Sequence, residues 1–201
     1  DYEVDYGSFN TFRGHFSHGS KINNLSYSVG LGYYNTNGAK DKHAAEQLTN
    51  FFGKIVWRPS PKLKLQTSAI HIYGKRELAT AVPPAASKFQ QQLEEYDPLT
   101  TTLLTAKATF TASDRMSTEL KASFADRKPT YDMFDTKTEQ TARYKEEDHE
   151  LNASLIQAIS MVRNNTLRFG FIYNNWVAPE GKRFYYGKSC DTETFAGVIV
   201  D

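Results

Sequence analysis

Hydrophobic and polar residues alternate with a period of two in one segment of this chain after another. In the clearest segment, 25–34, leucine, tyrosine and valine fall on one face, and mostly serine and glycine fall on the other. Such alternation is typical of β-strands whose two faces meet different surroundings. The pattern predicts nine strands. They are 9–17, 25–34, 51–57, 63–73, 104–110, 119–124, 151–158, 166–173 and 194–200.

The connections between these strands alternate between short and long along the whole chain. The short ones are 18–24, 58–62, 113–115 and 159–164, and the long ones are 35–48, 74–100, 127–148 and 175–193. Tight turns at one edge and extended loops at the other are typical of outer-membrane barrels. We therefore expect an all-β fold, an antiparallel up-and-down transmembrane β-barrel. Short helices are expected within the long connections, at 40–48 and 86–95.

Composition agrees with strands that have two different faces. Mean hydropathy is −0.58, although 13% of the residues are aromatic, so the apolar residues must be patterned. No segment reaches the roughly 18 apolar residues that a membrane-spanning helix needs. The net charge is +1 with dispersed basic residues, which argues against nucleic acid as a partner. Cys190 is the only cysteine, so the chain has no internal disulfide.

Aromatic residues concentrate at the predicted strand ends, where amphipathic rings prefer the headgroup region of a membrane. Two girdles are therefore predicted, one at the short turns and one at the long connections. The alternative is that these rings pack a soluble sheet. The residues concerned are Trp57 on the short side and Tyr33, Tyr34, Tyr73, Tyr173 and Trp176 on the long side.

No catalytic motif is present: the chain lacks a nucleophile elbow, a zinc-protease helix, a phosphate loop and a dinucleotide fingerprint. We therefore expect no enzymatic activity, no catalytic residue, no cofactor and no metal. The five histidines are expected on solvated surface, since no metal-ligand spacing joins them. The acidic run 146–150 is expected to be a solvated loop, with Ca²⁺ or a lipopolysaccharide-bridging cation as the alternative.

The long connection 175–193 has the strongest signal for ligand binding. Aromatic rings and cations stand together there, and this combination suits an anionic aromatic ligand such as a catecholate iron chelate. The alternative is ordinary loop packing with a membrane girdle. The candidate ligand-binding residues are Trp176, Lys182, Arg183, Phe184, Tyr185, Tyr186 and Lys188.

Two segments carry a resemblance to a known family. Residues 6–13, YGSFNTFR, resemble an early barrel strand of TonB-dependent outer-membrane receptors, and residues 192–201, TETFAGVIVD, are similar to a mid-barrel strand of that family. The family has a barrel of about 22 strands and an N-terminal plug. It imports ferric siderophores, cobalamin or other scarce nutrients with energy delivered by TonB.

The resemblance implies that residues 1–201 are a partial barrel domain, an internal run of about nine strands. The plug, through which TonB would act, and the closing strand are expected outside this chain. The implied location is the bacterial outer membrane, and the implied partners are its lipid, lipopolysaccharide and a small-molecule or metal-chelate solute. The alternatives are a passive porin-like channel and a soluble all-β ligand-binding module.

Overall fold

The computed structural model describes residues 1–40, 42–79, 92–162, 165–179 and 190–197, with 161–162 and 190–197 described for their backbone only. It is an all-β structure, and the described residues contain no α-helix. No helix in this part of the chain is long and apolar enough to cross a membrane.

Twelve strands form one sheet. The alternating segments form strands over most of their predicted lengths, and most strands extend beyond the apolar alternation at one or both ends. Residues 9–10 of the predicted strand 9–17 lie instead in a short 3-10 helix, Ser8–Asn10, and 198–200 of the predicted strand 194–200 lie outside the described residues. The strands are β1 Tyr2–Gly7, β2 Thr11–Ile22, β3 Leu25–Thr36, β4 Glu46–Ser60, β5 Leu63–Leu78, β6 Gln92–Ser113, β7 Met116–Arg127, β8 Thr130–Asp135, β9 Gln140–Lys145, β10 Asp148–Val162, β11 Asn165–Ala178 and β12 Cys190–Gly197.

Neighbours in sequence are neighbours in space along the path β1 to β7 and then β10 to β12, and every pairing is antiparallel. The predicted meander is confirmed. Over the described residues β1 pairs only with β2, and β12 only with β11, so the sheet is open and its two ends do not meet. The connections after β2, β4, β6 and β10 lie at one edge, called the turn edge, and those after β3, β5, β7 and β11 lie at the opposite, long-connection edge. The three-residue connection between β1 and β2 also lies at the long-connection edge.

The count of nine strands was wrong, because β1 was not counted and because two strands of one predicted connection were taken for a loop. β1 precedes the first predicted strand, and β8 and β9 form a hairpin inside the connection 127–148. The hairpin pairs with the outer part of β6, the longest strand at 22 residues. The helices expected at 40–48 and 86–95 are also wrong where described, since 46–48 belong to β4 and 92–95 to β6.

The two faces of the sheet differ as the alternation predicts. Leu31, Phe51, Leu104 and their cross-strand partners lie on what we call the apolar face, and the other side is called the polar face. Large hydrophobic side chains remain exposed on the apolar face, for example Leu120 at 52% and Phe171 at 54%. Of the ten residues expected to face lipid, none is buried: Leu25, Leu31, Leu104, Ala106, Phe110, Phe169 and Phe171 are exposed, and Tyr27, Val29 and Leu167 are half-buried.

Nothing among the described residues packs a second layer on this sheet. Where side chains are described, the buried hydrophobic residues are only Ala125, Tyr131 and Ala178. The accessible surface is 13603 Å², whereas a compact soluble monomer of 22.8 kDa exposes about 9,600 Å². The sheet therefore leaves uncovered an apolar surface that a soluble sandwich would bury.

The rings of the predicted aromatic girdles do not all lie on one face of the sheet. Trp57 and Tyr73 are exposed on the apolar face. Tyr34 is on the polar face, where the guanidinium of Arg13 lies 5.8 Å from its ring centroid, and Trp176 is on that face too. Adjacent residues of a strand point to opposite faces, so Tyr33 and Tyr34 cannot both belong to one girdle.

Candidate functional site

Trp176 is the one candidate ligand-binding residue whose side chain is described, and it lies within β11. Its indole N–H donates a hydrogen bond to Oδ1 of Asp148 at 3.4 Å. Arg127 donates from Nε to the same oxygen at 2.6 Å and from a terminal nitrogen to Glu150 at 3.3 Å. Two carboxylates thus share one guanidinium, so this cluster carries net negative charge and does not by itself attract an anion.

The remaining candidates of that connection lie outside the described residues. They are Lys182, Arg183, Phe184, Tyr185, Tyr186 and Lys188. The predicted combination of rings and cations therefore stays a prediction for 175–193.

The polar face carries a second candidate site in the middle of the sheet. Glu119 on β7 lies between two ammonium groups, in contact with Lys107 and 2.6 Å from Nζ of Lys121. The two lysines border a recess of about 430 Å³ that Gln66 and Asn152 also line. Two cations around one carboxylate leave net positive charge, with neutral hydrogen-bonding groups beside it. A recess with these lining groups can hold a polar or anionic solute.

Apart from the Arg127 cluster and the Arg76–Glu46 pair, cations also exceed carboxylates on the polar face. Strand register places the following charged residues there: Arg13, Lys21, Lys54, Lys64, Lys107, Lys121 and Arg168, against Glu3, Asp5 and Glu119. The apolar face carries none of these charges. The positive excess is thus confined to one side of the sheet.

Near the long-connection edge, the apolar face ends in charged residues. His149 stacks on Phe124 with ring centroids 6.2 Å apart. Its Nδ1 is 2.8 Å from Oδ1 of Asp126, and its Nε2 is 3.1 Å from Oε1 of Glu147. The first contact is short enough for an ion pair, but its geometry is not that of a hydrogen bond. The acidic run expected to be a solvated loop is thus partly strand β10, with two of its members in this cluster.

Lys128 completes this cluster, since its ammonium lies 3.3 Å from both Asp126 and Glu147. The pKa of Lys128 is raised, first because Glu147 accepts a hydrogen bond from it. Two carboxylates therefore face one ammonium group and one imidazole in this cluster.

A second histidine lies among carboxylates farther along the same edge. His43, in the connection between β3 and β4, meets Glu77 of β5 and Glu95 of β6, and potential ligand atoms of the three residues lie within 4.8 Å of one another. The side chain of His43 is 17% exposed. It is more covered than the solvated position expected from the sequence.

Sequence reasoning missed this group for a clear reason. Its members come from three elements and are more than a dozen residues apart in sequence, so no ligand spacing of the kind found in a zinc finger or a metalloprotease helix exists. Only the sheet register brings them together, since Glu77 pairs directly with Glu95. His15 and His18 do point to opposite faces, as expected, because they pair with Gly32 and Val29.

Comparison with known proteins gives no assignment: no protein-family model matches the chain, and no curated protein matches it.

Proposed function

We propose that this chain is a portion of the barrel of a TonB-dependent outer-membrane receptor, which imports a scarce anionic nutrient such as a ferric catecholate. The observation that carries the proposal is the uncovered apolar face: one antiparallel meander exposes large hydrophobic side chains on one side and keeps its charges on the other. Lipid is the solvent that such a face fits, provided that the remaining strands close the sheet.

The placement of the connections supports the same function. All the connections longer than three residues between the described strands of the meander lie at one edge, as external loops do in such barrels. Charged residues begin immediately beyond Phe124 on the apolar face. This abrupt change from rings to charges is expected where hydrocarbon gives way to headgroups.

The charges of the polar face support an anionic solute. An excess of cations on the wall raises the local concentration of anions and lowers the barrier to their passage. Iron chelates with catecholate groups carry negative charge, so the Lys107–Glu119–Lys121 group suits them better than it suits a cation.

Topology is tested with two single-cysteine proteins in a Cys190→Ser background. Asn37→Cys places a thiol at the long-connection edge and Asn24→Cys places one at the turn edge, both at exposed positions. A membrane-impermeant maleimide should label Cys at position 37 on intact cells, and position 24 only after lysis. Equal labelling of both on intact cells, or recovery of the protein in the soluble fraction, would overturn the membrane assignment.

Transport is tested by uptake of a radiolabelled ferric catecholate into cells that express the whole protein. Uptake by a TonB-dependent receptor should stop when a protonophore collapses the proton gradient. Uptake that continues would indicate the porin-like channel instead. Lys107→Gln with Lys121→Gln should reduce uptake, while Lys40→Gln, at the long-connection edge, serves as the control.

A further inference from the structure

We propose that His43, Glu77 and Glu95 form a binding site for a divalent transition-metal ion such as Zn²⁺. The site lies at the long-connection edge and joins the β3–β4 connection to β5 and β6. One imidazole and two carboxylates are ligands that Zn²⁺ accepts, leaving a further coordination position for water. The inference rests on side-chain geometry and is independent of whether the sheet spans a membrane.

The first argument is the tautomer of His43. Its Nε2 lies 3.1 Å from the carbonyl oxygen of Glu94. A carbonyl oxygen only accepts hydrogen bonds, so Nε2 carries a proton. In the neutral ring, Nδ1 is then a lone pair directed at Glu77. A ring N–H held by a backbone carbonyl, with the other nitrogen aimed at further ligands, is the usual arrangement of a metal-binding histidine.

The second argument is distance. Nδ1 of His43 is 3.5 Å from Oε2 of Glu77, which is too long for a charge-assisted hydrogen bond, since these are about 2.7–2.9 Å. Zinc bonds of about 2.0–2.2 Å at a tetrahedral angle place a nitrogen and an oxygen ligand about 3.4 Å apart. The separation of 3.5 Å is therefore compatible with two ligands on one ion.

The third argument is the contrast with His149. There the ring is 2.8 Å from Asp126 and 3.1 Å from Glu147, and the ammonium of Lys128 lies 3.3 Å from both carboxylates. Each carboxylate of that group therefore already has a lysine beside it.

The His43 group has a different charge balance. Lys75 lies 2.9 Å from Oε2 of Glu95 and 3.3 Å from Asp97, so one ammonium serves two carboxylates, while Glu77 faces His43. The backbone N–H of Ala45 donates to Glu77 at 2.8 Å, which fixes the carboxylate in place. A divalent cation would offset the remaining negative charge.

The test is titration of the metal-free whole protein in detergent with Zn²⁺ in competition with a chromophoric chelator. We expect one site that weakens by about tenfold or more in His43→Ala and in Glu77→Gln. Glu77→Gln keeps an oxygen for the N–H of Ala45, so its fold is expected to persist, as circular dichroism would check. His149→Ala, which alters the group that contains Lys128, is the matched control and should bind Zn²⁺ as the unaltered protein does.

X-ray absorption of the Zn²⁺-loaded protein gives a second measurement. It should show a single imidazole among otherwise oxygen ligands. Unchanged affinity in the His43→Ala/Glu77→Gln double variant, or two imidazoles on the ion, would overturn the proposal. Displacement of Zn²⁺ by equimolar Ca²⁺ would also overturn it, because Ca²⁺ selects all-oxygen sites.

Discussion

Gly170 on β11 lies so close to the carbonyl oxygen of Leu155 on β10 that a Cβ at position 170 would overlap it. The obstruction is backbone, which a rotamer change cannot relieve. Gly170→Ala should therefore destabilise the sheet by about 1–3 kcal/mol, the usual range for overpacking. Gly30→Ala is the matched control, since its Cβ would meet its nearest atom at 3.8 Å. Equilibrium urea unfolding in detergent would compare the two. Equal midpoints would contradict the close approach.

Two adjacent residues of β7 test whether the apolar face lies in lipid. Ala122 is exposed on that face, and Ser123 points to the polar face. Ala122→Arg should cost about 2–4 kcal/mol in a bilayer, because a guanidinium near the middle of the band must leave water. In water the same exposed substitution changes stability by about 0.5 kcal/mol or less. Unfolding from lipid vesicles measures both variants, and Ser123→Arg should be the milder one. A small effect at both positions would argue for a soluble sheet.

The β8–β9 hairpin should weaken in acid. The pKa of Asp132 is lowered, chiefly because Arg143 hydrogen-bonds to its carboxylate, and that of Asp135 is lowered by the backbone N–H groups of Thr138 and Lys137. A carboxylate whose pKa is lower in the folded than in the unfolded state stabilises the fold at pH values above its unfolded-state pKa. That stability is lost as the pH falls through its folded-state pKa. The unfolded value for Asp is about 3.9, so the loss is expected below about pH 4.

Amide hydrogen exchange across 130–145, measured at about pH 7 and at about pH 3 and corrected for intrinsic exchange rates, measures this loss of stability. The hairpin amides should lose protection in acid more than those of β3. Asp132→Asn with Asp135→Asn should be less protected at neutral pH and should show a smaller change between the two values. If the double variant lost as much protection in acid as the unaltered hairpin does, the two aspartates would not be the cause of the acid sensitivity.

The 201-residue chain expressed alone should fail to form a soluble monomer. Its apolar face is uncovered over the described residues, and the sheet edges offer backbone groups for pairing with other chains. Gel filtration in detergent-free buffer should show aggregates. A monodisperse β-rich monomer with cooperative melting would support the soluble module instead.

The sequence predicted the middle of the sheet well and its long-connection edge poorly. In the middle of the sheet, hydrophobic and polar residues alternate along each strand because the two faces meet different surroundings. The segment 25–34 is an example. Farther out, as in β8, β9 and the first part of β6, charged or polar residues lie on both faces. Without contrast between the faces, no alternation of hydrophobicity remains, and these strands were predicted as loops or short helices.

The candidate sites were less predictable than the strands. Trp176 was assigned to a ligand loop because aromatic residues and cations follow it in sequence, but pairing places it in a strand beside Asp148. His43, Glu77 and Glu95 meet only through strand register and a connection that folds back on the sheet. Such convergence depends on tertiary structure, and one sequence carries no local signal for it.

The length of β6 has a consequence for the long-connection edge. About ten residues suffice for a tilted strand to cross a membrane, whereas β6 has 22, and residues 94–96 at its outer end pair with β5 on one side and with the hairpin on the other. This end of the strand is therefore held in a sheet on both sides, and its backbone amides should exchange with solvent more slowly than those of an unpaired connection.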